Sequence, residues 1–158
     1  MTSVRALLVT PNGNVLLMRR TKADRPVYWV LPGGGIEDTD ESLEAAVSRE
    51  VREETGAVPR LHRLIHVADA GVHGVHGIFL ARIAGWSVAG QTGPEFAEPA
   101  NGAYHLDEYP LTAEVFRKIH PRPSETSAMV ADALSRGVDI FELPDVRDRE
   151  SIPWGPRP

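Results

Sequence analysis

Arg49-Glu50-Val51-Arg52-Glu53-Glu54-Thr55-Gly56 (REVREETG) is the stretch whose reading decides the fold. Glu50, Glu53 and Glu54 stand at i, i+3 and i+4, a spacing that stacks three carboxylates on one side of a helix. Gly56 supplies the stop that such a helix needs, and Asp38, Thr39 and Asp40 are candidates for its N-cap. The pattern predicts a helix from about Thr39 or Asp40 to Thr55.

Advancing about 100° per residue puts Leu43, Ala46, Val47 and Val51 in one apolar arc. Glu44, Ala45, Ser48 and Arg52 lie on the other side, but Glu50, Glu53 and Glu54 fall inside or beside the apolar arc. Like charges at i, i+4 cost a few tenths of a kcal/mol. Carboxylates near a helix C-terminus oppose its dipole, and partial burial adds a desolvation cost. A solvated charge run, with Arg49 and Arg52 as ion-pair partners, is the ordinary reading of such a stretch, and the azimuths count against it. A bound divalent cation answers all three objections, and clustered carboxylates suit Mg²⁺ or Mn²⁺.

Working outward, Leu31-Pro32-Gly33-Gly34-Gly35-Ile36-Glu37 lies between a short strand, Tyr28–Leu31, and the acidic helix. Glycines let backbone approach a ligand closely. The segment is neither a Walker loop nor G-x-G-x-x-G. Val4–Thr10 and Val15–Arg20 read as a hairpin joined by Pro11-Asn12-Gly13-Asn14. Strands are expected at Leu61–Ala68 and Val75–Ala84, a loop over 85–103, a further strand at Gly102–Leu106, and a helix over Ser124–Ser135. One domain covers 1–143, and the Pro-rich end, 144–158 with Trp154, reads as a tail on that domain.

The totals exclude several classes. A chain of 158 residues with 42% hydrophobic and 25% charged residues fits one globular domain. A net charge of −5 argues against a nucleic-acid binder. Without cysteine there is no disulfide, thiolate metal site or cysteine nucleophile. No stretch is long and apolar enough to span a bilayer, and the N-terminus lacks the apolar core of a signal peptide, so a cytoplasmic protein is expected.

Counted from Gly35, the two segments give G-x5-E-x7-R-E-V-R-E-E-T-G-A, with Glu41 and Arg49 at the second and third fixed positions. This resembles the signature box of the Nudix hydrolases, G-x5-E-x7-R-E-U-x-E-E-x-G-U, where U is a bulky aliphatic. Every fixed position matches over residues 35–57, Val51 fits the first U, and Ala57 is a small last U. The resemblance implies an α/β fold, an α/β/α sandwich around a central mixed sheet. It further implies a catalytic set of Glu53, Glu54, Glu50, Arg49 and Glu41. Metal ligands would be Glu50, Glu53, Glu54 and the Gly35 carbonyl, holding Mg²⁺ or Mn²⁺. Glu41 and Arg49 would form the pair that holds the box in shape.

The family's activity implies a small nucleotide substrate and hydrolysis of a pyrophosphate bond in a nucleoside diphosphate derivative. A (deoxy)nucleoside triphosphate, ordinary or oxidised, is the first expectation. ADP-ribose or another nucleotide sugar is the alternative, although the ADP-ribose pattern places a proline about sixteen residues after the box, where His73 stands. A catalytically idle nucleotide-sensing module of the same fold is a further alternative, and an acidic chain argues against messenger-RNA decapping. In this family a second acid often comes from the loop after the box, for which Glu95 is preferred over Glu98.

The remaining candidates are read from the residues. Arg19, Arg20, Lys22 and Arg25 leave the second strand in a basic cluster placed to meet phosphates, and Arg19 and Arg20 point to opposite faces. Tyr28, Trp29, Phe96, Tyr104 and Trp154 are the candidates for stacking on a base. His62, His66, His73 and His76 read as surface and not as a zinc site. A homodimer fits the resemblance, but no sequence feature requires one.

Overall fold

In β1 (Ser3–Val9), Val4, Ala6 and Leu8 pack into one core while Leu7 and Val9 pack into another, so the strand is buried on both faces. That alternation, seen in a computed structural model describing residues 1–69, 71–92 and 102–148, makes β1 the centre of the sheet. The other strands are β2 (Asn14–Lys22), β3 (Arg25–Val30), β4 (Gly33–Gly35), β5 (Arg60–Asp69), β6 (Val75–Arg82) and β7 (Ala103–Pro110). Their order is β3-β2-β1-β6-β5, with β4 paired to β1 and β7 paired to β2. Only β1 and β6 run parallel among these pairs, so the sheet is mixed.

Helix α1 (Leu43–Thr55) covers the first core through Ala46, Val47 and Val51. Helices α2 (Ala113–Ile119) and α3 (Ser124–Ser135) cover the second, where Phe116, Val130 and Ala131 meet Leu17, Ile78 and Leu80. Each fully buried aliphatic or aromatic side chain contributes about 1.5–3 kcal/mol. The result is the expected α/β/α sandwich. Among the described residues no helix is long and apolar enough to cross a membrane.

Several elements differ from the expectation. α1 begins at Leu43, and its cap is Ser42, whose Oγ accepts from the Ala45 N–H at 3.0 Å. Asp40 does not cap because its carboxylate is committed to Arg49 and to the Glu37 N–H. The glycine segment is a three-residue strand, with Gly33, Gly34 and Gly35 opposite Arg5, Val4 and Ser3. β7 runs on to Pro110 because it pairs with β2 along its whole length, and α2 is capped by Thr112. The tail is no such difference: its described residues, 144–148, pack on the rest of the chain, where Arg147 pairs with Glu44 at 2.6 Å and with Asp145 at 2.7 Å.

β2 changes partner along its length. It pairs with β1 at Leu16 and Val15, then with β3 from Met18 onward, while the free part of β1 takes β4. The sheet therefore forks between β1 and β3, and the fork carries the cleft described next.

Candidate active site

α1 and β4 set the box against the fork. Glu54, 8% exposed, turns inward, and its Oε2 accepts from the Gly33 N–H at 2.6 Å. Glu50, with its side chain 13% exposed, lies against Gly34. A Cβ at Gly34 would stand 2.5 Å from Glu50 Oε2, so a glycine is needed for the carboxylate to fit there. Glu53 is the most open of the three at 35%. The helical arc thus places Glu50 and Glu54 inward as expected and Glu53 at its margin.

Arg49 ties this arrangement together. Its Nη2 donates to the Gly35 carbonyl at 2.9 Å and its Nη1 to Glu50 Oε1 at 2.8 Å, while Glu53 lies 3.7 Å away. The expected brace between Arg49 and Glu41 is corrected by the structure. Arg49 grips Asp40 with two prongs, Nε to Oδ1 at 3.0 Å and Nη2 to Oδ2 at 2.8 Å, and Glu41 is exposed. A two-pronged bond to a planar guanidinium is the stronger geometry. It holds the Asp40 carboxyl down at about 2, and the same bond raises the Arg49 pKa.

Among the described residues no three His, Asp or Glu side chains converge as a ready metal shell. The donor types still suit a hard divalent cation: carboxylates of Glu50 and Glu54 against β4, where the missing Cβ at Gly34 leaves room, the open carboxylate of Glu53 one turn away, and a backbone carbonyl.

Beside the box, the fork opens into a cleft of about 500 Å³. Glu54 and Gly33 lie at the box, with Arg5, Arg20, Tyr28 and Arg122 among the other lining residues. Arg5 donates from Nη1 to the Leu31 carbonyl at 2.8 Å and to the Gly33 carbonyl at 3.3 Å. Burial lowers its pKa, and the charges of Glu54 and Glu50 oppose that shift.

Of the basic cluster, Arg20 alone of the three arginines reaches the cleft, with its guanidinium 3.6 Å from the centre of the Tyr104 ring. Arg19 faces the other way and pairs with Asp107 at 2.7 Å, because adjacent residues of a strand point to opposite faces. Arg25 is at the exposed start of β3 beside Asp24 and outside the cleft. Tyr28 lines the cleft, whereas Trp29 packs into the second core and donates to Tyr109 Oη at 2.8 Å. Glu95, Glu98, Phe96 and Trp154 lie outside the described residues.

His62 and His73 are exposed, as the surface reading has it, while His66 is half-buried and His76 buried. His73 and His76 both line the cleft, and buried His76 bonds through Nδ1 to Ser3 Oγ. Burial, then the Arg5 charge, lowers its pKa, which keeps the ring neutral at pH 7. His66 bonds to Thr126 Oγ1 at 2.8 Å, and His62 packs edge-on against Phe141. Arg5, Arg122 and His76 are among the cleft residues that sequence reasoning did not place there. A charged residue inside the apolar run Val4–Val9, and an arginine between two prolines, are the signals that were available.

A family model described as the NUDIX domain matches residues 1–121, and the chain belongs to that family. Over 54 residues it is 44% identical to an RNA pyrophosphohydrolase of Caulobacter vibrioides, a match covering 34% of this chain and 31% of that one. Over 85 residues it is 35% identical to the 8-oxo-dGDP phosphatase NUDT18 of Danio rerio, covering 54% and 26%. The matches thus span about a third or less of the length of these curated relatives. Among solved structures, the NUDIX domain of Shewanella oneidensis NrtR complexed with ADP ribose superposes with a TM-score of 0.60 at 25% identity, over 86% of this chain and 87% of that one.

Proposed function

We propose that this chain hydrolyses a pyrophosphate bond in a nucleoside diphosphate derivative, using Mg²⁺ or Mn²⁺ held by Glu50, Glu53, Glu54 and the Gly35 carbonyl. The observation that carries the reading is the juxtaposition of two box carboxylates, Glu54 on Gly33 and Glu50 against Gly34, with a cleft lined by Glu54, Arg5, Arg20 and Arg122. Phosphoryl chemistry depends mainly on positioning and on neutralising charge, and this arrangement offers both.

A divalent metal held there would supply positive charge for phosphate oxygens and would acidify a water. Arg49 keeps Glu50 and the Gly35 carbonyl in place, and a carbonyl oxygen with two lone pairs can accept from Arg49 and still face a cation. The Gly33 N–H fixes Glu54, and Arg20 contributes a cation on the substrate side. Glu53, the most open of the three acids, is the one its exposure favours as proton acceptor from the attacking water.

A (deoxy)nucleoside triphosphate, ordinary or oxidised, is the proposed substrate; the likeness to a protein named as an 8-oxo-dGDP phosphatase supports an oxidised nucleotide, there a diphosphate. The likeness to a domain solved with ADP ribose supports ADP-ribose as a second reading. The test is a panel of nucleoside triphosphates, their 8-oxo forms, ADP-ribose and 5′-triphosphate RNA, assayed with Mg²⁺ or Mn²⁺. Wild type is compared with Glu53→Gln and Glu54→Gln. Turnover of none of these overturns the reading, and equal turnover by the variants removes those two acids from it.

A further inference from the structure

The family match ends at residue 121, yet the cleft does not. Arg122, Pro123, Ser124 and Glu125 follow directly and form one of its walls. Two backbone bonds pin this segment to β3: the Arg122 N–H donates to the Trp29 carbonyl at 2.9 Å, and the Leu31 N–H donates to the Arg122 carbonyl at 3.0 Å. Arg122 thereby extends the sheet by one position beyond β3, beside the residues that lead into Gly33. Pro121 and Pro123 each fix their own φ, so the backbone carrying Arg122 is stiff on both flanks.

The side chain is exposed, and its guanidinium lies 4.6 Å from the centre of the Tyr28 ring. Arg20 lies 5.9 Å from the same ring and 3.6 Å from that of Tyr104. Arg20 is the register partner of Tyr28 on β3 and of Tyr104 on β7. Tyr104, Arg20, Tyr28 and Arg122 therefore make a row of alternating ring and cation across the sheet. A guanidinium resting near a ring is held in orientation while its N–H edge remains directed elsewhere. Among the described residues no carboxylate forms an ion pair with Arg122. A fork of fixed donors on a stiff wall matches phosphate oxygens in pairs.

We propose that Arg122 is a substrate-binding residue of this cleft and takes a phosphate group of a nucleotide. The proposal rests on the nucleotide reading above but not on turnover, so its test is equilibrium binding. Calorimetry in Mg²⁺ follows the α,β-methylene analogues of ATP and GTP, which resist hydrolysis at that bridge. For the better-bound analogue, Arg122→Gln and Arg122→Met are expected to raise the dissociation constant about tenfold or more, and Arg122→Lys to recover part of that loss. Arg25→Gln removes the same charge outside the cleft and is expected to change it by less than about twofold. The proposal is overturned if Arg122→Gln weakens binding no more than Arg25→Gln does. It is also overturned if Arg122→Met, which keeps an apolar stem and loses the donors, binds as wild type does, or if the wild type binds neither analogue. A wild type that binds an analogue and turns over no nucleotide overturns the hydrolase reading instead.

Discussion

Arg49 holds Asp40 through two hydrogen bonds of 3.0 and 2.8 Å, while the neighbouring Glu41 stands exposed. Asp40 in turn accepts from the Glu37 N–H at 2.8 Å, so the chain leading into α1 is bound to the arginine that touches Glu50 and Gly35. Asp40→Asn is expected to lower kcat by about 10- to 100-fold, as loss of an orienting partner does, and Glu41→Gln by far less. Steady-state kinetics of the two variants decide this. A larger loss in Glu41→Gln would show that the substrate-bound enzyme uses the other carboxylate.

The same pair makes a prediction about acid. Arg49 depresses the Asp40 carboxyl from 3.8 to about 2. A depressed carboxyl contributes stability that is complete above its ordinary pKa and is lost as the pH falls through the folded value. Between about pH 4 and about pH 2 the wild type should lose stability that Asp40→Asn does not have to lose. Thermal melts across that window measure the difference, and parallel curves would contradict it.

Two neighbouring glycines should behave differently. A Cβ at Gly33 would meet the Val4 carbonyl at 2.2 Å, on a backbone with φ of 141°. Gly33→Ala is expected to destabilise the fold by about 1–3 kcal/mol or more. At Gly34 the obstacle is the end of the Glu50 side chain, which can move. Gly34→Ala should therefore melt close to wild type and bind Mn²⁺ more weakly, measured by calorimetry.

Divalent metal should stabilise the protein if the box acids hold it. At a concentration near 100 times the dissociation constant, the gain is about 2.7 kcal/mol. Glu54→Gln keeps an oxygen for the Gly33 N–H and loses the charge, so it should fold normally and lose most of that gain. An unchanged metal-induced rise in Tm would remove Glu54 from the ligand set.

What the sequence made legible was local in origin. The spacing of Glu50, Glu53 and Glu54 repeats with the helix, and the inward turn of two of them follows from the apolar arc of Ala46, Val47 and Val51. The alternation of Arg19 and Arg20 followed from strand geometry in the same way. The start of α1 was misread because Asp40 has a competing partner nine residues on, which cap rules do not weigh. Arg5, His76 and Arg122 reach the cleft through strand pairing: Ser3 with His76, Arg5 with Gly33, Val30 with Arg122. Such neighbours are set by the assembled sheet and leave little trace in a window of sequence.

At the fork the Pro32 carbonyl still meets β1, while the Leu31 and Gly33 carbonyls are left to a side chain. The Ala6 N–H takes the Pro32 carbonyl at 2.8 Å, and the Arg5 side chain takes those of Leu31 and Gly33. One guanidinium thus stands in for a missing length of backbone. A methionine there would fill the space without the donors, leaving two polar groups of the segment to find water or close the gap. The cleft is in this sense an architectural void propped by a cation that ties β1 to the segment leading into the box.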